Sequence, residues 1–296
     1  MHAGFTLPSY AKINWTLRIL GKREDGFHSV CTVFQTVSLC DSISFAEGRE
    51  IRLTCDSRYI PTDNRNLCVK AATALRSRFG VKRGAAIHLE KRIPSPGGLG
   101  GGSSNAAVTL IGLNRLWELN ATHEDLAAIA EGLGSDVPFF LTGGTAVGTG
   151  RGEAVESIPD VNDPYMLIVT PGVRVSTANA YAGLAAPTLT SEDSNRILRV
   201  CRLQADSLDP HHSVLINDFE ASVFSAHPEI GRVKQSLLDL GAVNAAMSGS
   251  GASVFAVFDK QETRQAAQKA LDHESSWRKF AVATIARVDY RHGLHL

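Results

Sequence analysis

The sequence carries no excess charge of either sign: Lys+Arg and Asp+Glu are both 30. That balance argues against a dedicated nucleic-acid binder, which would show a basic surplus. It leaves room for a local basic pocket that takes a phosphate-bearing ligand. No apolar run approaches the ~18 residues of a membrane span. Residues Met1–Lys12 lack the basic-then-apolar pattern of a secretory signal. A cytoplasmic protein that contacts neither membrane nor nucleic acid is expected, as a monomer or weak homodimer. Cysteine is sparse and odd in number (Cys31, Cys40, Cys55, Cys68, Cys201), with no zinc-type spacing. This excludes a disulfide scaffold and points to reduced thiols. Repeats and low-complexity tracts are also missing.

What remains is a chain of 296 residues, 44% hydrophobic, enough to fill one large core or two ordinary ones. Strands are expected at Ile13–Leu20, Val30–Leu39, Ile43–Phe45, Ile51–Thr54, Ala85–Leu89, Tyr165–Thr170, Ala252–Phe258 and Ala281–Tyr290. Helical spacing predicts Leu67–Phe79 closed by Gly80, Ala106–Leu119, Glu229–Leu240 closed by Gly241, and Gln261–His273. Thr122 and Asp125 read as a capping box for a helix ending near Gly134. Glu24-Asp25-Gly26 signals a turn, and Gly143–Gly152 a hairpin or loop. The polar stretch Ser191–Asp209 is helical or partly loose. Asp160–Pro164 marks a division between residues 1–162 and 163–296. Strands and helices do not alternate with the rhythm of a doubly wound sheet, so two α+β domains are expected.

The strongest chemical signal is Pro94–Asn105. Gly97, Gly98, Gly100, Gly101 and Gly102 let backbone N–H groups converge closely on an anion. The helix that follows adds its positive end at the same place. Ser103 and Ser104 are placed to cap that helix or to meet a phosphate oxygen. A merely flexible loop is disfavoured by the entropy of ordering so much glycine. A dinucleotide fingerprint needs an acidic ribose ligand ~20 residues on, after a second strand. Here that interval is helix, so a dehydrogenase is a weak alternative. A P-loop needs Gly-Lys-Ser/Thr at its end, and this loop contains no lysine.

Pro94–Ala107 resembles the phosphate-binding motif of the GHMP kinases, the family of galactokinase, homoserine kinase and mevalonate kinase. Ser9–Asn14 is similar to that family's N-terminal motif, and Ala246–Ser253 to its C-terminal glycine motif. Ala11–Asn14, Gly21–His28, Thr32–Gln35, Gly134–Pro138 and Gly148–Glu153 narrow the resemblance to members whose alcohol acceptor carries a cytidine diphosphate. The likeness spans nearly the whole chain and is densest before Glu153. It implies a two-domain α+β GHMP kinase fold, with an N-terminal βαβ nucleotide-binding domain and a C-terminal ferredoxin-like domain. It also implies transfer of the ATP γ-phosphoryl, with Mg²⁺, to the 2-hydroxyl of a methylerythritol unit in the non-mevalonate isoprenoid route. No carboxylate cluster marks the Mg²⁺ ligands, so substrate phosphates are expected to supply most of them.

The same resemblance distributes roles. Asp136 becomes the base that receives the hydroxyl proton, although by sequence alone it reads as a helix cap. Lys12, otherwise an ordinary solvated lysine, becomes its partner and stabilises a developing alkoxide. Asn66, Leu67 and Lys91 match adenine-contacting positions. Pro94, Gly97, Gly98, Leu99, Gly100, Gly101, Gly102, Ser103 and Ser104 match the phosphate cradle. Phe27 and Tyr181 would sandwich a cytosine, His28 would read its edge, and Asn14 and Asn105 would bind the acceptor. Gly249, Ser250 and Gly251 would close over its phosphates. Four departures stand out. Pro96 replaces a small residue and stiffens the start of the loop, Phe27 replaces a tyrosine, Tyr181 sits where phenylalanine is common, and Thr188–His212 matches little. The alternatives are another GHMP kinase, of the mevalonate or homoserine kinase type, and a non-catalytic ATP or metabolite sensor.

Overall fold

In the computed structural model, residues 4–23, 25–184 and 191–296 are described. Glu24 of the expected turn, Thr188–Thr190 of the poorly matching segment and Met1–Ala3 lie outside them.

The first sheet is built on two long strands, β1 (Phe5–Lys22) and β2 (His28–Gly48), antiparallel along their length. Two separate strands were expected within β2, because Cys40-Asp41-Ser42 interrupts the apolar pattern. The backbone runs through, with a register shift between Tyr10 and Ala11 opposite this point. β2 also pairs with β4 (Gly84–Glu90) near its end and with β5 (Thr145–Thr149) near its start. β3 (Ile51–Cys55) lies parallel to β4, and β6 (Ala154–Ser157) forms the expected hairpin with β5.

Three helices cover one face of this sheet. Asn66 caps α1 (Leu67–Arg78) by accepting the Cys68 N–H at 2.9 Å. α2 (Gly101–Leu116) is apolar nearly all round and runs through the core. Its first turn lies inside the glycine run, five residues earlier than periodicity predicted. α3 (His123–Leu133) starts with the predicted capping box, both of whose bonds form. A short α4 (Phe139–Thr142) follows.

The second sheet has the order β10-β7-β9-β8, all antiparallel: β7 (Met166–Thr170), β8 (Asn244–Met247), β9 (Val254–Val257) and β10 (Arg278–Val282). Between β7 and β8 come α5 (Thr177–Ala182), α6 (Ser191–Asp206), α7 (Glu220–Ala226) and α8 (Pro228–Asp239). Between β9 and β10 come α9 (Gln261–Ala270) and a 3₁₀ turn, Leu271–His273. With α8 and α9 as the two crossovers, this is the βαββαβ arrangement of a ferredoxin-like unit.

A further expectation fails. Ala281–Tyr290 is not a strand. β10 ends at Val282, Thr284 bridges to Val37 of the first sheet, and α10 (Arg287–Gly293) follows. The alternating side chains serve two different sheets, so the alternation does not mark one strand. Tyr290 then buries itself against α4, its hydroxyl donating to Phe140 O at 2.5 Å.

Three apolar cores result among the described residues. One lies between the first sheet and α1–α3, and one between the second sheet and its helices. The third joins the inner faces of both sheets, where Trp15 of β1 meets Phe255 of β9 edge-to-face at 5.3 Å.

Candidate active site

Between the sheets opens a cleft of about 310 Å³. Its floor is the glycine loop, and its walls are β1, β2, the turn before α4, α5 and the loop after β8. Gly100 caps α2 in the left-handed region, φ 67°. The first-turn N–H groups of Gly101, Gly102 and Ser103 have no carbonyl one turn back to bond, and all three residues line the cleft. This is the anion-binding geometry expected of the motif.

The loop is held from both sides. The Lys12 N–H donates to Leu99 O at 3.0 Å. The Ser253 N–H donates to Gly97 O at 3.1 Å, and Ser248 Oγ donates to Gly98 O at 3.0 Å. Gly98 has φ +74°, and a Cβ there would run into the Ser248 carbonyl. The C-terminal glycine motif is thus packed directly on the phosphate-loop glycines. It is fixed in turn by Asn217, whose Nδ2 donates to Met247 O (2.6 Å) and Gly249 O (2.8 Å).

Lys12 is buried and points into the cleft. Its Nζ donates to Asn14 Oδ1 at 2.6 Å and lies 3.4 Å from Asp136 Oδ2. Asn14 is itself oriented, since its Nδ2 donates to Thr32 Oγ1 at 2.7 Å and that hydroxyl donates to Thr16 O. Asp136 sits in the turn between α3 and α4. It does not cap α4, whose first turn receives no side-chain hydrogen bond. Phe139, stacked on Phe34 at 4.8 Å, anchors that turn to β2. One edge of Asp136 stays open to solvent while Lys12 is enclosed, at 33% and 3% exposure.

Tyr181 lines the same cleft, wedged against Phe219 in a T-shaped contact. Burial pushes its phenol up to about 12, with the negative Asp136 adding to the effect. It therefore stays neutral across the physiological range.

Several sequence-predicted residues are placed elsewhere. Phe27 does not face Tyr181: it is exposed, and the Arg151 guanidinium lies 5.1 Å from its ring centroid. His28 occupies the Tyr181 face instead, stacked at 5.0 Å. Burial lowers the His28 pKa, and the Lys22 charge adds to this, favouring the neutral ring. Asn66 is the helix cap described above, while its neighbour Leu67 reaches the cleft. Lys91 is not a solvated charge, because its Nζ is paired with buried Asp41 at 2.6 Å. Ser104 shares a hydrogen bond with Ser9, and Asn105 Nδ2 donates to Ser9 and Asp41, all below the cleft floor. Periodicity could not have separated these two from Ser103, which lines the cleft. The remaining predicted residues, Lys12, Asn14, Asp136, Tyr181, Pro94, Gly97–Ser103 and Gly249–Gly251, do converge on the cleft.

The sequence reading missed Thr32, Phe34, Arg151 and Thr177 among the lining residues. Arg151 had a signal, as the one cation in Gly148–Glu153. Thr177, whose Oγ1 lies 3.0 Å from Ser250 Oγ, had none.

Comparison with known proteins agrees with this geometry. Residues 66–144 match the family model "GHMP kinases N terminal domain", and residues 193–275 match "GHMP kinases C terminal". The 4-diphosphocytidyl-2-C-methyl-D-erythritol kinase of Syntrophotalea carbinolica is 43% identical over 277 residues, covering 93% of this chain and 97% of that protein. The enzyme of the same name from Moorella thermoacetica is 43% identical over 263 residues, covering 87% and 91%. A crystal structure of 4-(cytidine 5'-diphospho)-2C-methyl-D-erythritol kinase superposes with TM-score 0.76 at 30% identity, covering 95% of this chain and 99% of that one. A homoserine kinase from Cytophaga hutchinsonii superposes with TM-score 0.71 at 21% identity, over 97% and 96%, a likeness of fold. Sequence motifs, sheet topology and glycine nest lead to one assignment: the chain belongs to the GHMP kinases and is an ATP-dependent small-molecule kinase.

Proposed function

We propose that the acceptor is 4-diphosphocytidyl-2-C-methyl-D-erythritol and that its 2-hydroxyl receives the γ-phosphoryl of ATP, a step of non-mevalonate isoprenoid synthesis. The observation that carries this is the Lys12–Asp136 pair, 3.4 Å apart at the end of the glycine nest, with Tyr181 in the same cleft. The names and identity levels of the relatives support the acceptor's chemistry.

Phosphoryl transfer asks a protein mainly for positioning and charge stabilisation. The N–H groups of the nest would hold the β- and γ-phosphates. Leu67, at the start of α1, lines the cleft and would meet the adenine at that end. Asp136 would accept the proton of the 2-hydroxyl. The Lys12 ammonium, held in place by Asn14, would stabilise the developing alkoxide and the transferred group. Tyr181 offers a ring face for the cytosine once His28 shifts. Base stacking of that kind is worth about 1–3 kcal/mol. Gly249–Gly251 would close over the acceptor's diphosphate, and Arg151 is a further cation lining the cleft.

The donor set fits Mg²⁺ held largely by phosphates. Among the described residues one carboxylate, Asp136, lines the cleft, together with the loop hydroxyls of Ser95, Ser103 and Ser250, and Mg²⁺ commonly takes only one or two carboxylates beside substrate oxygens. Bound there, Mg²⁺ neutralises phosphate charge. We further propose a cytoplasmic enzyme, monomeric or weakly dimeric.

ADP release measured across a panel of acceptors tests the proposal. Turnover is expected with the cytidine diphosphate-linked methylerythritol and not with mevalonate or homoserine. Comparable kcat/KM on either of those two would assign a different GHMP activity. No ADP with any acceptor would favour the sensor.

A further inference from the structure

Beneath the nest lies a buried polar network with no part in the scheme above. Asp41, in β2 opposite Ser9 of β1, is fully buried. Its Oδ1 accepts the backbone N–H groups of Arg92 (2.7 Å) and Ile93 (2.8 Å). Its Oδ2 accepts Lys91 Nζ (2.6 Å) and Asn105 Nδ2 (2.9 Å). A carboxylate offers about four lone-pair sites, so this one is saturated.

The chain order gives these bonds their meaning. Lys91–Ile93 is the stretch that leads into the glycine loop, and Asn105 lies in the early turns of α2 that leave it. One carboxylate therefore straps both ends of the nest. Lys91 Nζ also donates to Ile93 O at 2.9 Å, and it lies 3.0 Å from where a Cβ on Gly101 would stand. The ion pair is thus packed directly under the turn whose free N–H groups face the cleft. A buried ion pair alone is weak grounds for stability, because desolvation offsets the attraction. Fourfold coordination across two ends of one loop is instead what holding a binding site to tight geometry requires.

We infer that Asp41 is a positioning residue for ATP: it fixes the spacing of the nest's N–H groups without touching the nucleotide. This rests on the reading of the glycine loop as the ATP site.

Asp41→Asn keeps the shape but turns an NH₂ against either two backbone N–H groups or the Lys91 ammonium and Asn105 amide. Asn105→Ala keeps the ion pair and removes one strap. Steady-state kinetics on the full chain, varying ATP and acceptor separately, are expected to show KM for ATP raised roughly 10–100-fold in Asp41→Asn, the scale seen when groups that orient a metal's ligands are removed. The rise should be smaller in Asn105→Ala, with KM for the acceptor unchanged in both. A purely architectural role would lower Tm and leave KM for ATP as in the parent, and that result overturns the inference. If Asp41→Asn does not fold, Asn105→Ala decides by the same criterion. ATP binding to Gly98→Ala separates the two levels. Normal binding there would sink the reading of the nest itself. Lost binding there, with parental ATP binding in both strap variants, would sink only the role of Asp41.

Discussion

Lys12 shows how far a single residue's meaning depends on its neighbours. An ammonium at 3% exposure needs partners, and Asn14 Oδ1 and Asp136 Oδ2 supply them. Asp136→Asn should keep the affinity for ATP and lower kcat by ~10²–10⁴, the usual effect of removing a general base. Near-parental kcat would remove Asp136 from the chemistry. Gly98→Ala is expected to disable ATP binding, because φ +74° and the Ser248 carbonyl both exclude a side chain. Isothermal titration with ATP checks it, and parental affinity would contradict the packed-loop geometry. At this scale the motifs made Lys12, Asp136 and the glycines legible. Asp41 was not, since a lone aspartate in a strand says nothing until the β1–β2 register sets it under the loop. Phe27 and His28 were read as ligand residues, but their rings pair with Arg151 and Tyr181 through contacts that no spacing encodes.

Among the elements, α1, α3 and α8 were readable because caps and periodicity agree with burial there. The capping box at Thr122 and Asp125 forms as expected. β8 was not readable: Asn-Ala-Ala-Met is short and lacks β-branched residues, and burial by its neighbours alone makes it a strand. The junction of α8 with the 3₁₀ turn carries its own prediction. Arg232 pairs with Glu229 at 2.7 Å and also with Glu274, and it lies over the Trp277 ring at 4.5 Å. Trp277 Nε1 donates to Glu229 Oε1 at 2.7 Å. Arg232 first, and Trp277 after it, hold the Glu229 carboxyl below the usual glutamate range, and Arg232 does the same to Glu274. With folded-state values below unfolded ones, the clamp's contribution is present above ~4.3 and is lost as pH falls through the folded values. Urea midpoints should therefore decline on acidification, and Arg232→Met should flatten that decline. An unchanged slope in Arg232→Met would place the acid sensitivity elsewhere.

For the whole molecule, the division proposed after residue 162 separates two sheets but not two cores. Trp15, Val33 and Val147 of the first sheet share one apolar layer with Met166, Ile168, Phe255 and Val257 of the second. Crossing in the other direction, Tyr290 and Leu294 at the end of the chain complete the core of the first sheet. Calorimetry should accordingly give a single unfolding transition. Phe255→Ala should lower stability by about 3–5 kcal/mol without splitting that transition, and two resolved transitions in the parent chain would show that the layer does not couple the sheets. The two α+β units were visible from the sequence as a whole. Their shared layer was not, because inward and outward faces of a strand look alike until both sheets are in place. The cleft depends on that layer, since it holds the glycine nest on one side and Tyr181 with Gly249–Gly251 on the other. A crystal structure with a non-hydrolysable ATP analogue and the cytidine diphosphate-linked methylerythritol tests this arrangement most directly. The β- and γ-phosphates are expected on the N–H groups of Gly97–Ser103, with the 2-hydroxyl within hydrogen-bond reach of Asp136. Phosphates bound away from the nest, or an acceptor hydroxyl out of reach of Asp136, would contradict it.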